Sequence, residues 1–222
     1  MLPCRTSQPG WSHRRTTDDP AVADTSRAPD ETLARCWWSG TTAVDRAMVR
    51  YHDEEWGIQV RDEVELFERL ALESFQAGLS WSTILNKRVA FRAAFQGFEP
   101  AVVAAFDEAA VGHLMGDVGI VRNRAKIEAT IGNARAYLEL AASRPGGFAA
   151  YLDAFVPPPP PKQPPGATSA DMPAFTPAAV TLSKDLRARG FRFVGPTIIY
   201  AFLQSVGWVD DHLPGCFRYG VA

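Results

Sequence analysis

The sequence is short of several things. No apolar run approaches the roughly 18 residues that a membrane-spanning helix needs, so no membrane partner is expected. The start has no basic stretch followed by an apolar one, which predicts no secretory leader. Cysteine is scarce: Cys4, Cys36 and Cys216 are too few and too scattered for a disulfide framework. That scarcity fits a reducing compartment, and a cytoplasmic protein is expected. Positive charge is not in excess either. Lys and Arg number 23 against 25 Asp and Glu, a formal net charge of −2. This argues against a general nucleic-acid binder unless basic residues gather on one face. Strand-like alternation and internal repeats are also missing.

What remains is a helical pattern. The 222 residues are 46% hydrophobic, enough for one domain with a sizeable core. Residues 1–32 are polar and Pro-dotted and read as a disordered N-terminal tail. The ordered domain is expected over 33–218, with 219–222 a C-terminal tail. Inside it, Pro157 to Pro177 reads as an extended surface loop, because the unbroken Pro157 to Pro161 excludes a helix. Elsewhere apolar residues recur at helical spacing, as in Val64, Phe67, Leu70, Ala71 and Phe75. Asp62 with Glu65 makes a capping box. Ser80 and Ser183 are further candidate caps, and Pro100 suits a first helical turn. A helix from Pro196 to Val206 is closed by Gly207. The fold class expected is all-α.

Three constellations carry chemistry. Cys36 and His52 near the start, with His212 and Cys216 near the end, make a full tetrahedral zinc set. Such a closed site is structural and would clamp the two ends together. Two buried cysteines and two ordinary histidines fit the spacing equally well. Next, a helix ends near Gly116, a turn follows around Gly119 and Ile120, and a new helix begins close to Arg122. That is the form of a helix-hairpin-helix element, where Gly119 lets backbone N–H groups meet a phosphate. Arg122, Arg124 and Lys126 add positive charge beside it. An ordinary turn with a solvated charged face remains open. Third, Trp37, Trp38, Tyr51, Trp56 and Trp81 fall in a short span, with Glu73 between them. Rings plus one acid suit a flat cationic base; core packing remains the alternative.

Arg35-Cys-Trp-Trp38, Tyr51-His-Asp-Glu-Glu-Trp-Gly57, Leu72-Glu73 with Gln76-Ala-Gly-Leu-Ser-Trp81, Gly119-Ile120, Ile131-Gly-Asn-Ala-Arg-Ala-Tyr137, Gly190-Phe-Arg-Phe-Val-Gly195 and Asp211-His-Leu-Pro-Gly-Cys216 occur in this order. Together they resemble the DNA-3-methyladenine glycosylase I family, from about Arg35 to about Cys216. The resemblance implies a helix-hairpin-helix glycosylase fold with a zinc ion joining the termini through Cys36, His52, His212 and Cys216. It implies a base pocket of Trp38, Tyr51, Trp56, Glu73 and Trp81, with Glu73 and Tyr51 as the catalytic pair. It further implies an intercalating loop, Gln76 to Leu79, in which Gly78 and Leu79 fill the gap in the duplex. Gly119, Ile120, Arg122, Arg124 and Lys126 would meet the DNA backbone.

The activity implied is monofunctional hydrolysis of the N-glycosidic bond, with no lyase step. Double-stranded DNA containing alkylated adenine is the partner, free 3-methyladenine the product, and a monomer is expected. The nucleotide would leave the stack before cleavage. Tyr51, Trp38 and Trp81 would hold the base and Glu73 would accept from its exocyclic amine. A damage-binding module without turnover, a zinc hydrolase, and a glycosylase for another alkylated purine remain alternatives. Ser74 and Phe75, the proline run and the N-terminal tail depart from the family pattern.

Overall fold

Side-chain caps set most of the helix starts. The computed structural model describes residues 30–40 and 45–221, so the expected N-terminal tail and Cys4 lie almost wholly outside the described residues. Asp45 accepts from Met48 N and opens α1, Arg46–Glu54. Asp62 accepts from Glu65 N and opens α2, Glu63–Gln76. The Glu65 carboxylate does not close a capping box; it turns to Arg69 at 2.9 Å instead. Ser80 caps α3, Trp81–Ala94, and Pro100 starts α4, Pro100–Ala104. Asp107 caps α5, Glu108–Gly116, and Asn123 caps α6, Arg124–Ala142. After these come α7, Gly147–Asp153, α8, Pro177–Ala188, and α9, Pro196–Ser205. Among the described residues there is no strand, only one isolated bridge between Lys162 and Asp210. None of these helices is long and apolar enough to cross a membrane.

Two helix boundaries differ from the sequence reading. Ser183 does not cap α8. Thr176 and Pro177 start that helix, and Ser183 lies inside it, donating to Val194 O at 2.6 Å. Its short hydroxyl is used across the core, a choice local pattern cannot reveal. The helix after the Gly119 turn starts at Arg124, not Arg122, because the Asn123 side chain captures Lys126 N.

Helix α2 sits at the centre, packed against α3, α6, α7 and α9. Every residue from Leu66 to Phe75 is buried. A helix buried all round has no place for unpaired polar side chains. Glu68 is paired with Arg92 at 2.8 Å and Arg69 with Glu55 and Glu65, which leaves Glu73 to be explained.

The two ends of the domain meet beside α1. Phe217 N donates to Ala34 O at 2.8 Å, and Arg35 grips Asp53 through Nε and Nη2 at 2.8 and 2.7 Å. Gly207, at φ 74°, runs so close to Ile58 and Gln59 that a Cβ would sit 2.4 Å from their backbone. Only glycine permits that approach. The 157–177 segment stays without an α-helix until Pro177, apart from a short 3-10 turn at Ser169–Asp171. It is not detached: Pro161 O accepts from Asp210 N at 3.1 Å, and Gln163 Nε2 donates to Asp211 at 2.7 Å.

Candidate active site

One cavity of about 300 Å³ opens beside α2, lined by Trp37, Trp38, Met48, Tyr51, Trp56, Glu73, Gln76, Trp81, Met172, Ala201 and Gln204. The five residues expected to form a base pocket all contribute to it. Tyr51 comes from α1, Glu73 from α2 and Trp81 from the first turn of α3. Ring centroids are 4.8 Å apart for Trp38 and Trp56, 6.1 Å for Trp38 and Tyr51, and 5.2 Å for Tyr51 and Trp81. Their planes stand at 55–71° to one another, so the rings form the walls of a box rather than two parallel plates. Met172, from the Pro-rich segment, and Ala201 and Gln204, from α9, were not legible in sequence. They lie far along the chain and belong to no motif.

Glu73 is 3% exposed, and its Oε2 has no hydrogen-bond partner among the described residues. Burial pushes its carboxyl up to about 8, against a smaller downward pull from Arg69. Arg69 lies one helical turn earlier and is also buried. Its Nη2 pairs with Glu55 at 2.6 Å and Glu65 at 2.9 Å, and its guanidinium stands 5.8 Å over the Tyr51 ring. Arg88 completes the network on Glu55 at 2.6 Å. Burial is also the largest influence raising the Tyr51 phenol. Trp81 Nε1, in the same wall, is buried without a partner. The cavity thus offers π faces, one unpaired acid and one unpaired donor.

Behind Trp56 lies the second cluster. The ligand atoms of Cys36, His52 and Cys216 fall within 4.8 Å of one another, all buried. His212 is not within that group of three, but its ring is 5.1 Å from His52 and 4.6 Å from Trp56. Its Nε2 is buried and unpartnered, while Nδ1 is fixed to Asp210 at 2.7 Å. His52 is built alike, with Nδ1 held by Asp53 at 2.8 Å and Nε2 at 3.3 Å from Cys216 Sγ. Carboxylates on Nδ1 leave Nε2 as the lone-pair donor in both rings, the usual outer arrangement of a metal-binding histidine. The donor set therefore fits a bound metal ion. Gly57 is tight against this site: a Cβ there would meet His212 Cε1 at 2.8 Å.

The residues expected to meet DNA fall in two loops and at the helix ends beside them. Gly78 and Leu79 are exposed, Leu79 at 42%, in the turn between α2 and α3, and Gln76 reaches the cavity edge. In the turn between α5 and α6 Arg122 is exposed, and at the start of α6 Arg124 is shared between Glu108 at 2.7 Å and Glu128 at 3.3 Å. Ile120 is buried in the core. The Gly119 N–H donates to Asp117 at 2.7 Å, and a Cβ on Gly119 would meet Ala90 Cβ at 2.9 Å. That glycine is needed for packing on α3. Lys126, expected beside a phosphate, is turned inward: it is 7% exposed and its Nζ binds Phe75 O and Ala77 O.

The family model for methyladenine glycosylases matches residues 38–219. The chain belongs to the methyladenine glycosylase family. It is 45% identical over 188 residues to the DNA-3-methyladenine glycosylase 1 of Escherichia coli K12, covering 84% of this chain and 97% of that one. A DNA-3-methyladenine glycosylase of Haemophilus influenzae is 41% identical, covering 82% of this chain and 96% of the relative. Among solved structures, one of 3-methyladenine DNA glycosylase I matches with a TM-score of 0.79 at 43% identity, covering 83% and 99% of the two chains. The structure of the Staphylococcus aureus enzyme, solved to explain 3-methyladenine recognition, matches at 0.75 and 38% identity over 78% and 92%. The all-helical architecture described above is thus the fold shared with these solved glycosylases.

Proposed function

We propose that the protein excises 3-methyladenine from alkylated DNA as the first step of base-excision repair. The observation that carries this reading is the cavity: four indoles, a phenol and one buried acid are what a flat, positively charged base requires. Methylation at N3 places positive charge on the ring and weakens its bond to the sugar. The carbon–nitrogen bond breaks with its electron pair passing to the base, which leaves neutral. Water then adds to the sugar carbon and gives up a proton. Glu73 and Tyr51 are the residues assigned to the reaction, with Trp38, Trp56 and Trp81 shaping the pocket. An incoming cation favours the ionised form of Glu73, which then accepts from the exocyclic amine. Among the described residues no lysine lines the cavity, which supports hydrolysis without a Schiff-base step.

The nucleotide reaches the cavity by extrusion from the duplex. Gly78 and Leu79 fill the gap, Gln76 stands at the cavity edge, and the α5–turn–α6 unit serves as the helix-hairpin-helix contact through Gly119, Ile120, Arg122 and Arg124. The metal is one structural zinc ion on Cys36, His52, His212 and Cys216. The orphaned His212 Nε2 supports the fourth ligand. With four protein ligands such an ion has no open position and joins the ends of the domain.

Incubation with methylated duplex DNA, with released bases separated by chromatography, tests the reaction. Release of 3-methyladenine, leaving an uncut abasic strand, is expected, and Glu73→Ala should reduce it. No released base, or unchanged release by Glu73→Ala, would overturn the reading.

A further inference from the structure

Two loops far apart in sequence would touch DNA: the α2–α3 turn and the α5–α6 turn. Each is held by a lysine from the helix that follows the other. Lys126, in the first turn of α6, donates through Nζ to Phe75 O at 2.7 Å and to Ala77 O at 2.6 Å. Those carbonyls end α2, where backbone acceptors lack helical partners and a cation is favoured. Lys87, half-buried on α3, donates through Nζ to Val118 O and Gly119 O, both at 3.1 Å. The close seat of Gly119 on Ala90 presses the same turn onto α3.

We infer that Lys87 and Lys126 form a reciprocal tie that makes the intercalating loop and the hairpin meet DNA as one rigid unit. This rests on the reading of Gln76 to Leu79 as the wedge. Lys126 is then a positioning residue and not a phosphate ligand. The physical reason is that neither loop has regular structure of its own. A wedge must enter the duplex at a fixed distance from the backbone contact that holds the strand. Two cations, each bonded to two carbonyls in or beside a loop, fix that distance.

Full-length Lys126→Met, Lys87→Met and the double variant test it, with base release measured on single- and double-stranded forms of one methylated oligonucleotide. The duplex to single-strand ratio should fall about tenfold or more in each single variant, since small misplacements of a reacting group cost that much. The double variant should lose little beyond the worse single one, because the tie acts as a unit. Affinity for free 3-methyladenine should stay within about twofold in the singles, and Lys126→Gln, which keeps N–H donors, should recover part of the loss. The salt dependence of duplex binding should not change. A salt slope lower by about one would mark a lost phosphate contact and overturn the inference. Equal losses on both substrates, or additive losses, would overturn it too. Should Lys126→Met fail to fold, Lys87→Met carries the same test. A wild-type chain that releases nothing from either strand removes the repair reading itself, and the tie with it.

Discussion

Glu73 is the residue whose chemistry depends most on its surroundings. Its carboxyl is raised to about 8 because α2 is buried all round. The folded value lies above the unfolded one, so protonated Glu73 favours the folded state at low pH, and that stability is lost as pH rises towards 8. At pH 7 the difference amounts to roughly 3 kcal/mol. Glu73→Gln should therefore raise the melting temperature, and the gain should be larger at pH 8 than at pH 5. The same variant should lose base release, since Gln cannot carry the charge that meets a cationic base. Wild-type excision should climb between pH 6 and 8 as Glu73 ionises, while the variant stays flat. Equal thermal gains at both pH values would mean that Glu73 is not held protonated. The sequence motif located Glu73, but its charge state was not legible there. Burial of α2, and Arg69 one turn away under Tyr51, are products of tertiary packing.

At the scale of elements, the helix starts at Asp62, Ser80 and Pro100 were readable because caps and N1 prolines act within a few residues. Ser183 was misread as a cap, and the inward turn of Lys126 was not legible, because their partners, Val194 and the end of α2, are distant in the chain. The Pro-rich segment was legible as non-helical, yet its bonds to Asp210 and Asp211 and the place of Met172 at the cavity were not. The loops differ in what they tolerate. Leu79→Ala removes an exposed side chain and should change stability by less than about 0.5 kcal/mol while lowering excision from duplex DNA. Gly119→Ala must displace Ala90 or Asp117 and should destabilise by about 1–3 kcal/mol in denaturant titration. A stability loss from Leu79→Ala as large as that from Gly119→Ala would contradict this division of roles.

Across the whole molecule, the two ends of the described domain meet at the Cys36, His52 and Cys216 cluster, with His212 beside it and Trp56 shared between it and the cavity. Cys216→Ser, or a strong chelator, should lower the melting temperature by roughly 5–15 °C, with metal content falling in parallel. Base release by the protein still folded should persist. Unchanged stability with lost turnover would instead make the metal a reactant. The central claim is that the cavity binds the base through its rings and one acid. Four of its lining residues are tryptophans, so titration of free 3-methyladenine against intrinsic fluorescence reads occupancy directly. Saturable quenching is expected, with affinity weakened about tenfold or more by Glu73→Ala, the loss for one charge-assisted hydrogen bond. No saturable quenching, or an affinity that Glu73→Ala leaves intact, would contradict the account.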